Sequence, residues 1–265
     1  MIHQTLPVNE YLKVFVHKLL KLLPHSFIAK QQSSFLRQRE DSLEDGTKTC
    51  LMDFSEKYAF HVQDEAQGYH WTHRNCTVHP VVCYFRTHGD VRHHSLCFLS
   101  NDLNHDVGMV YEIQKTTIAF LKEKLGSLKK IEYFTDGCAA QYKNCKNFTN
   151  LCRHEEDFGV SAEWSFFAAS HEKSACDGIG DTVKRSVSLE SIRRPIKDQI
   201  LNTEQMILYC KKAMPGIHFE KIEEQELKRT RIWLYNRDFC VRNLNQRHKK
   251  LPQFQAIIIN IKNCY

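Results

Sequence analysis

The chain has 265 residues, 42% hydrophobic and 26% charged, a balance that allows a substantial core and excludes a disordered chain. A formal charge of +6 with a pI of about 8.7 permits a nucleic-acid partner without demanding one. No run of about 18 apolar residues occurs, so no membrane span and no membrane partner are expected.

In chain order, residues 8–40 predict two helices parted at Pro24. Between Tyr11 and Leu23, the residues Leu12, Val16, Leu19, Leu20 and Leu23 recur at near-helical spacing. That pattern fits an ordinary amphipathic helix better than a targeting segment. Residues 42–49 (SLEDGTKT) form a polar turn. Cys50-Leu51-Met52-Asp53 follows as a short buried strand that ends in an acid. Val81 to Phe85 and Ser95 to Leu99 read as strands. With Gly89-Asp90 as the turn between them, they form an antiparallel pair. Asn101 to Asp106 supply helix-capping residues, and Val110 to Leu125 is a helix stopped by Gly126.

A strand over 131–135 comes next, then a helix over about 143–156 closed by Gly159, then a strand from Glu163 to Ala169. Gly178 to Ile192 reads as helix, with two glycines loosening its start. Helices over 203–213 and 220–236 follow. The tail from Asn245 to Tyr265 is basic and then apolar, with Ile257-Ile258-Ile259 as a further strand. The fold class expected is α/β, a mixed five-stranded sheet flanked by helices with helical N- and C-terminal extensions. The boundaries are 1–44 for the N-terminal helical region, 45–195 for the central domain and 196–265 for the charged C-terminal region.

The 11 cysteines are odd in number and include no CxxC pair. With no secretion signal read, they fit buried reduced thiols in an intracellular protein. A zinc site on His171 and Cys176 is the lesser alternative.

Three acids stand at strand or helix ends. Asp53 ends the first strand, Asp136 ends the fourth, and Asp177 follows the fifth. An ionised carboxylate at the tip of a buried strand is costly unless something pairs with it. The bland reading of Asp136-Gly137 is a turn. If the first and fourth strands are neighbours, however, the three acids meet at one edge, where their repulsion calls for cations. Hard oxygen ligands suit Mg2+ or Mn2+, and a pair of such ions supports attack on phosphorus.

Three motifs surround these acids. They are Asp53-Phe54-Ser55-Glu56-Lys57-Tyr58; Thr135-Asp136-Gly137 with Gln141-Tyr142-Lys143-Asn144; and His171 with Cys176-Asp177-Gly178-Ile179-Gly180 and Lys184-Arg185. In this order, over residues 45–195, they resemble the catalytic core of transposon-derived DDE/DDD transposases, which are integrase-like and have the RNase H-like fold. Two positions depart from that pattern: Lys57 where Asn is expected, and Asp181 where a small residue is expected.

The resemblance implies an RNase H-like catalytic domain in which Asp53, Asp136 and Asp177 hold two Mg2+ or Mn2+ ions. Asp181 is the alternative third ligand. It implies a DNA partner, a homo-oligomer, and a nuclear or nucleocytoplasmic location. The implied reaction is phosphodiester hydrolysis followed by strand transfer. Gln141, Lys143 and Asn144 read either as DNA-contacting or as a solvated helix turn. His171 reads as a phosphate or nucleophile contact or as a loop histidine, and Lys184 and Arg185 as backbone contacts or a solvated face. Glu65, His70 and Trp71 match the pattern too, without a role the residues themselves supply. No complete zinc finger or helix-turn-helix precedes the core. A catalytically inactive or truncated remnant that binds DNA or protein is therefore the competing expectation, and a stand-alone RNase H-like nuclease is a third.

Overall fold

A computed structural model describes residues 7–60, 74–167 and 174–247, with side chains as far as 237. Its order is α1 (Val8–Asp41), β1 (Thr47–Met52), β2 (Tyr58–Ala59), β3 (Asn75–Thr87), β4 (Asp90–Ser100), α2 (Val107–Leu125), β5 (Lys130–Thr135), α3 (Cys145–Cys152), α4 (His154–Phe158), β6 (Ser161–Phe166), α5 (Ala175–Arg193), α6 (Thr203–Ala213), β7 (Ile217–Lys221) and α7 (Glu224–Arg247). The strands form one seven-stranded mixed sheet in the order β6-β5-β1-β3-β4-β7, with β2 paired to β3.

The register follows from the alternation of the strands. In β1, Cys50 and Met52 face one core while Leu51 faces another; in β3, Val81 and Cys83 oppose Val82 in the same way. Both faces are covered, which is why these strands read as nearly continuous apolar runs. On one face, α2 brings Met109, Val110, Ile113, Ile118 and Leu121 onto Leu96, Phe98, Ile131 and Tyr133. On the other, Val183 and Val187 of α5 and Met206 and Cys210 of α6 pack on Val78, Cys97, Leu99 and Phe219.

β3 and β4 pair antiparallel from Thr77↔Ser100 to Thr87↔Asp90. The two residues between them, His88 and Gly89, have φ of 51° and 88°, as a type I′ hairpin turn needs. Asp106 caps α2 by accepting from the Met109 N–H, and Gly126 closes it at φ 69°.

The expectations for several elements need correction. The predicted break at Pro24 is absent, and one 34-residue helix runs through it. Proline has no N–H for the Leu20 carbonyl, but α1 has no buried residue, so water can take the freed carbonyl. The five-stranded expectation becomes seven, with β2 and β7 added. β7 begins at Ile217, so part of the segment expected to be helical from 220 is strand. Its register is set by parallel pairing with β4, Ser95↔Ile217 to Leu99↔Lys221, a long-range partner that local propensity does not reveal.

The single helix expected over 143–156 is two, α3 and α4, joined at Arg153. α5 starts at Ala175, three residues before the predicted Gly178, because Ser174 and Asp177 form a capping box there. Ile257-Ile258-Ile259 lies outside the described residues. All nine described cysteines are free thiols, six of them buried.

The C-terminal segment is tied to the sheet's helices by charge. Arg231 reaches Asp102 at 2.6 Å and Asp106 at 2.8 Å, and Arg237 reaches Asp157 at 2.6 Å while lying 4.3 Å from the Trp233 ring. The buried Glu112 accepts from Thr230 and pairs with Lys115 at 2.6 Å. These contacts join α7 to α2 and α4.

Candidate functional site

β1 and β5 are adjacent and parallel, with Leu51 opposite Phe134 as their last pair. Two residues beyond each member of that pair lie Asp53 and Asp136, so the sheet delivers both acids to the same edge. Asp177 arrives from the first turn of α5. Cys176 beside it is buried and directs its Sγ to the Leu51 carbonyl at 3.5 Å, which ties this turn to β1.

Gly180, one turn further on, makes the close approach of α5 feasible. A Cβ there would lie 2.7 Å from Ser55 Oγ and 3.0 Å from Ser55 Cβ. Ser55 is itself fixed by its backbone N–H donating to the Val78 carbonyl at 3.0 Å.

The three acids border one cavity of about 1280 Å³, together with Thr135, Asp181 and part of α1. Burial pushes the Asp53 carboxyl up to about 7, and the nearby Asp136 and Asp177 charges add to the shift; a backbone hydrogen bond at Phe54 opposes it. Asp136 is also raised by burial, against a hydrogen bond from the Cys138 N–H to its Oδ1 at 3.1 Å. The Ser174 N–H donates to Asp177 Oδ2 at 2.8 Å. All three carboxylates thus already serve local backbone. Among the described residues, no group of three His, Cys, Asp or Glu side chains is drawn together as a ready metal cage. Asp181 borders the same cavity but is exposed, with Lys184 at 3.4 Å.

Beneath the acids lies an aromatic floor. Phe54 stacks on His105 (ring centroids 4.2 Å apart) and meets His79 edge-on at 4.3 Å. The buried His79 Nε2 and the buried Tyr142 hydroxyl are 2.8 Å apart, and burial drives His79 down to about 3, so it is neutral. Tyr142 is raised well above the usual phenol range by burial, with Asp53 and Asp136 contributing. The second motif's tyrosine is therefore a buried support for the acid edge.

Among the described residues, the other predicted contacts do not line this cavity. Asn144 caps α3, accepting from the Asn147 N–H at 3.0 Å and donating to the Ala139 carbonyl at 3.1 Å. Gln141 Nε2 stands 3.5 Å from His105 Nδ1. Lys143 is exposed over the Phe166 ring at 5.7 Å. Lys184 and Arg185 border a second hollow of about 510 Å³ with Lys57 and Asp181. Asp181 lines both hollows, so the basic group adjoins the acid edge. His171, Glu65, His70 and Trp71 lie outside the described residues.

Sequence reasoning missed the contribution of α1. Its second half docks on the sheet edge: Arg39 makes a two-pronged pair with Glu132 and approaches Glu163 at 3.5 Å. Gln32 Nε2 donates to the Phe166 carbonyl at 3.1 Å, and Phe35 lies 6.0 Å from Phe134 between ring centroids. Ala29, Gln32, Ser33, Leu36, Arg37 and Glu40 then form a wall of the acid cavity. No local motif marks these residues, since their partners lie about a hundred positions away in the chain.

No helix among the described residues is long and apolar enough to cross a membrane. No curated protein matches the chain, and no solved structure does. The sequence pattern of one family, described as Domain of unknown function (DUF8701), matches residues 32–262, from the docked half of α1 through the acid edge to the C-terminal tail. The chain belongs to that family.

Proposed function

We propose that the protein is a transposase-like DNA-processing enzyme with an RNase H-like core, which hydrolyses a phosphodiester and transfers the freed strand with the help of divalent metal ions. One observation carries the reading: Asp53 and Asp136 end two adjacent parallel strands, and Asp177 joins them at the same cavity. The strand order β4-β3-β1-β5-β6, with β3 antiparallel to both neighbours, supports the RNase H-like part of it.

The donor set fits Mg2+ or Mn2+. Asp53, Asp136 and Asp177 are hard oxygen donors, and the mutual repulsion at Asp53 is the kind a cation relieves. These three residues would hold the ions, which supply neutralisation of phosphate charge and activation of the attacking oxygen. The chain does the positioning. β1 and β5 fix two carboxylates through paired backbone, and Gly180 lets α5 bring the third close. Lys57, Lys184 and Arg185 present cations beside the acid edge, suited to phosphate oxygens flanking the reacting one.

A second reading has its own support. Asp177 caps its own helix, a role that requires no chemistry and that a non-catalytic DNA- or protein-binding module would keep. Nicking of plasmid DNA by the purified protein in Mg2+ or Mn2+ separates the two. The enzyme reading expects nicking that Asp136→Asn abolishes while the fold is retained. A folded wild-type protein that nicks nothing in either metal leaves the binding module as the better account.

A further inference from the structure

From the cavity beside the acids we infer a binding groove for an unpaired nucleic-acid strand, walled by α1 and α5, with Tyr84 as a base-stacking platform and Arg37 as its phosphate contact. The inference rests on the enzyme reading above and adds the form of substrate that enters. The cavity extends beyond the acid edge. Tyr84, which also lines it, pairs with Thr49 in β1, four residues before Asp53. At about 3.3 Å of rise per residue, the groove runs roughly 13 Å from Asp53 to Tyr84.

A base held in a duplex is already stacked on its neighbours, so only an unpaired strand can lay a base on Tyr84.

The lining suits such a strand. Tyr84 is half-buried on the floor, and Phe167 is half-buried beside Thr135 at the acid edge. Aromatic faces in a groove stack bases of any identity. Arg37 is the one Lys, Arg or His among the described residues lining the cavity, and it is exposed. Arg39, two residues on, is committed to Glu132 and Glu163, whereas Arg37 acts on the neighbouring Glu40 carboxyl only through its charge. Five carboxylates share the lining: Glu40, Asp53, Asp136, Asp177 and Asp181. A phosphate strand therefore enters only when cations offset them, so binding requires a divalent ion. Apart from Ala29, the wall that supplies Arg37 lies within residues 32–262, the span of the family pattern.

Fluorescence anisotropy in Ca2+ tests this on the full chain, with a labelled single-stranded oligonucleotide and the blunt duplex of the same sequence. The expected result is preference for the single strand, lost in EDTA. Tyr84→Phe keeps the affinity and Tyr84→Leu weakens it by about 5- to 150-fold, the span of one base–aromatic stack. Arg37→Ala lowers the slope of log affinity against log salt by about 0.7, one single-strand phosphate. Melting curves identify any variant that fails to fold, and Arg37→Ala, on an exposed side chain, keeps the test informative if Tyr84→Leu does fail. Preference for the duplex, or affinity unmoved by both the Tyr84 and Arg37 changes, overturns the groove and leaves the nicking reading standing. A folded wild-type protein that binds neither oligonucleotide and nicks no DNA overturns both.

Discussion

Replacing Asp53 with Asn should stabilise the metal-free protein above neutral pH, although it removes a residue proposed to be catalytic. The Asp53 carboxyl moves from its ordinary 3.8 to about 7, first through burial and then through the charges of Asp136 and Asp177. The folded-state value lies above the unfolded one. Its contribution to stability is therefore fully present below about pH 4 and is lost as pH rises through about 7.

At 1.36 kcal/mol per pKa unit, the whole shift corresponds to about 4 kcal/mol. Asp53 is partly open to solvent, and the portion expressed between about pH 5 and pH 8 is discounted for screening to roughly 2 kcal/mol. Asn cannot ionise and escapes this loss, while its Oδ1 can still accept a backbone hydrogen bond at Phe54. Urea unfolding of both proteins in EDTA, at about pH 5 and about pH 8, measures the effect as a difference of differences, which cancels the titrating groups that Asp53 does not touch electrostatically. The variant should gain roughly 2 kcal/mol on the wild type between the two conditions. A variant equally destabilised at both pH values would refute the argument that burial beside two like charges raises the Asp53 carboxyl.

Three further changes probe the supports of the site. Gly180→Ala places a Cβ 2.7 Å from Ser55 Oγ and should cost about 1–3 kcal/mol by overpacking; adding Ser55→Gly should restore most of the melting temperature. Tyr142→Phe removes the hydroxyl 2.8 Å from His79 Nε2. His79 Nδ1 already lacks a partner among the described residues, so the change should cost about 1–3 kcal/mol in urea unfolding. Arg39→Ala leaves the buried Glu132 with Lys130 at 3.3 Å and should loosen α1. Limited proteolysis should then cut within residues 29–41 faster than in the wild type, with little change elsewhere.

What was legible in the sequence was local. Cys50-Leu51-Met52-Asp53 and the strand before Asp136 carry their own apolar runs, and both strands occur with the acids just past their ends. Asp106 and Gly126 mark the ends of α2 by capping chemistry visible in the residues themselves. What escaped depended on distant partners. Ile217 to Lys221 holds only one fully buried side chain, Phe219, so its strand state follows from β4 rather than from its own composition. Pro24 would end a helix by its local chemistry, yet α1 continues and its second half docks through Arg39 and Gln32 on residues of β5 and β6. The same long-range contacts make Arg37 and Glu40 part of the acid cavity, and no spacing within residues 8–41 encodes that. Lys57 stood out in the sequence only as a departure from the expected Asn; the fold gives it a setting, beside Lys184 and Arg185.

The central claim is that Asp53, Asp136 and Asp177 act together as a cation site. Calorimetric titration of Mn2+ into the wild type and into the three single Asp→Asn variants tests it most directly. Saturable binding by the wild type, weakened at least about tenfold by each variant, a change of about 1.4 kcal/mol, is the predicted result. A folded wild type that takes up no Mn2+, or one whose affinity is the same in all three variants, would contradict it.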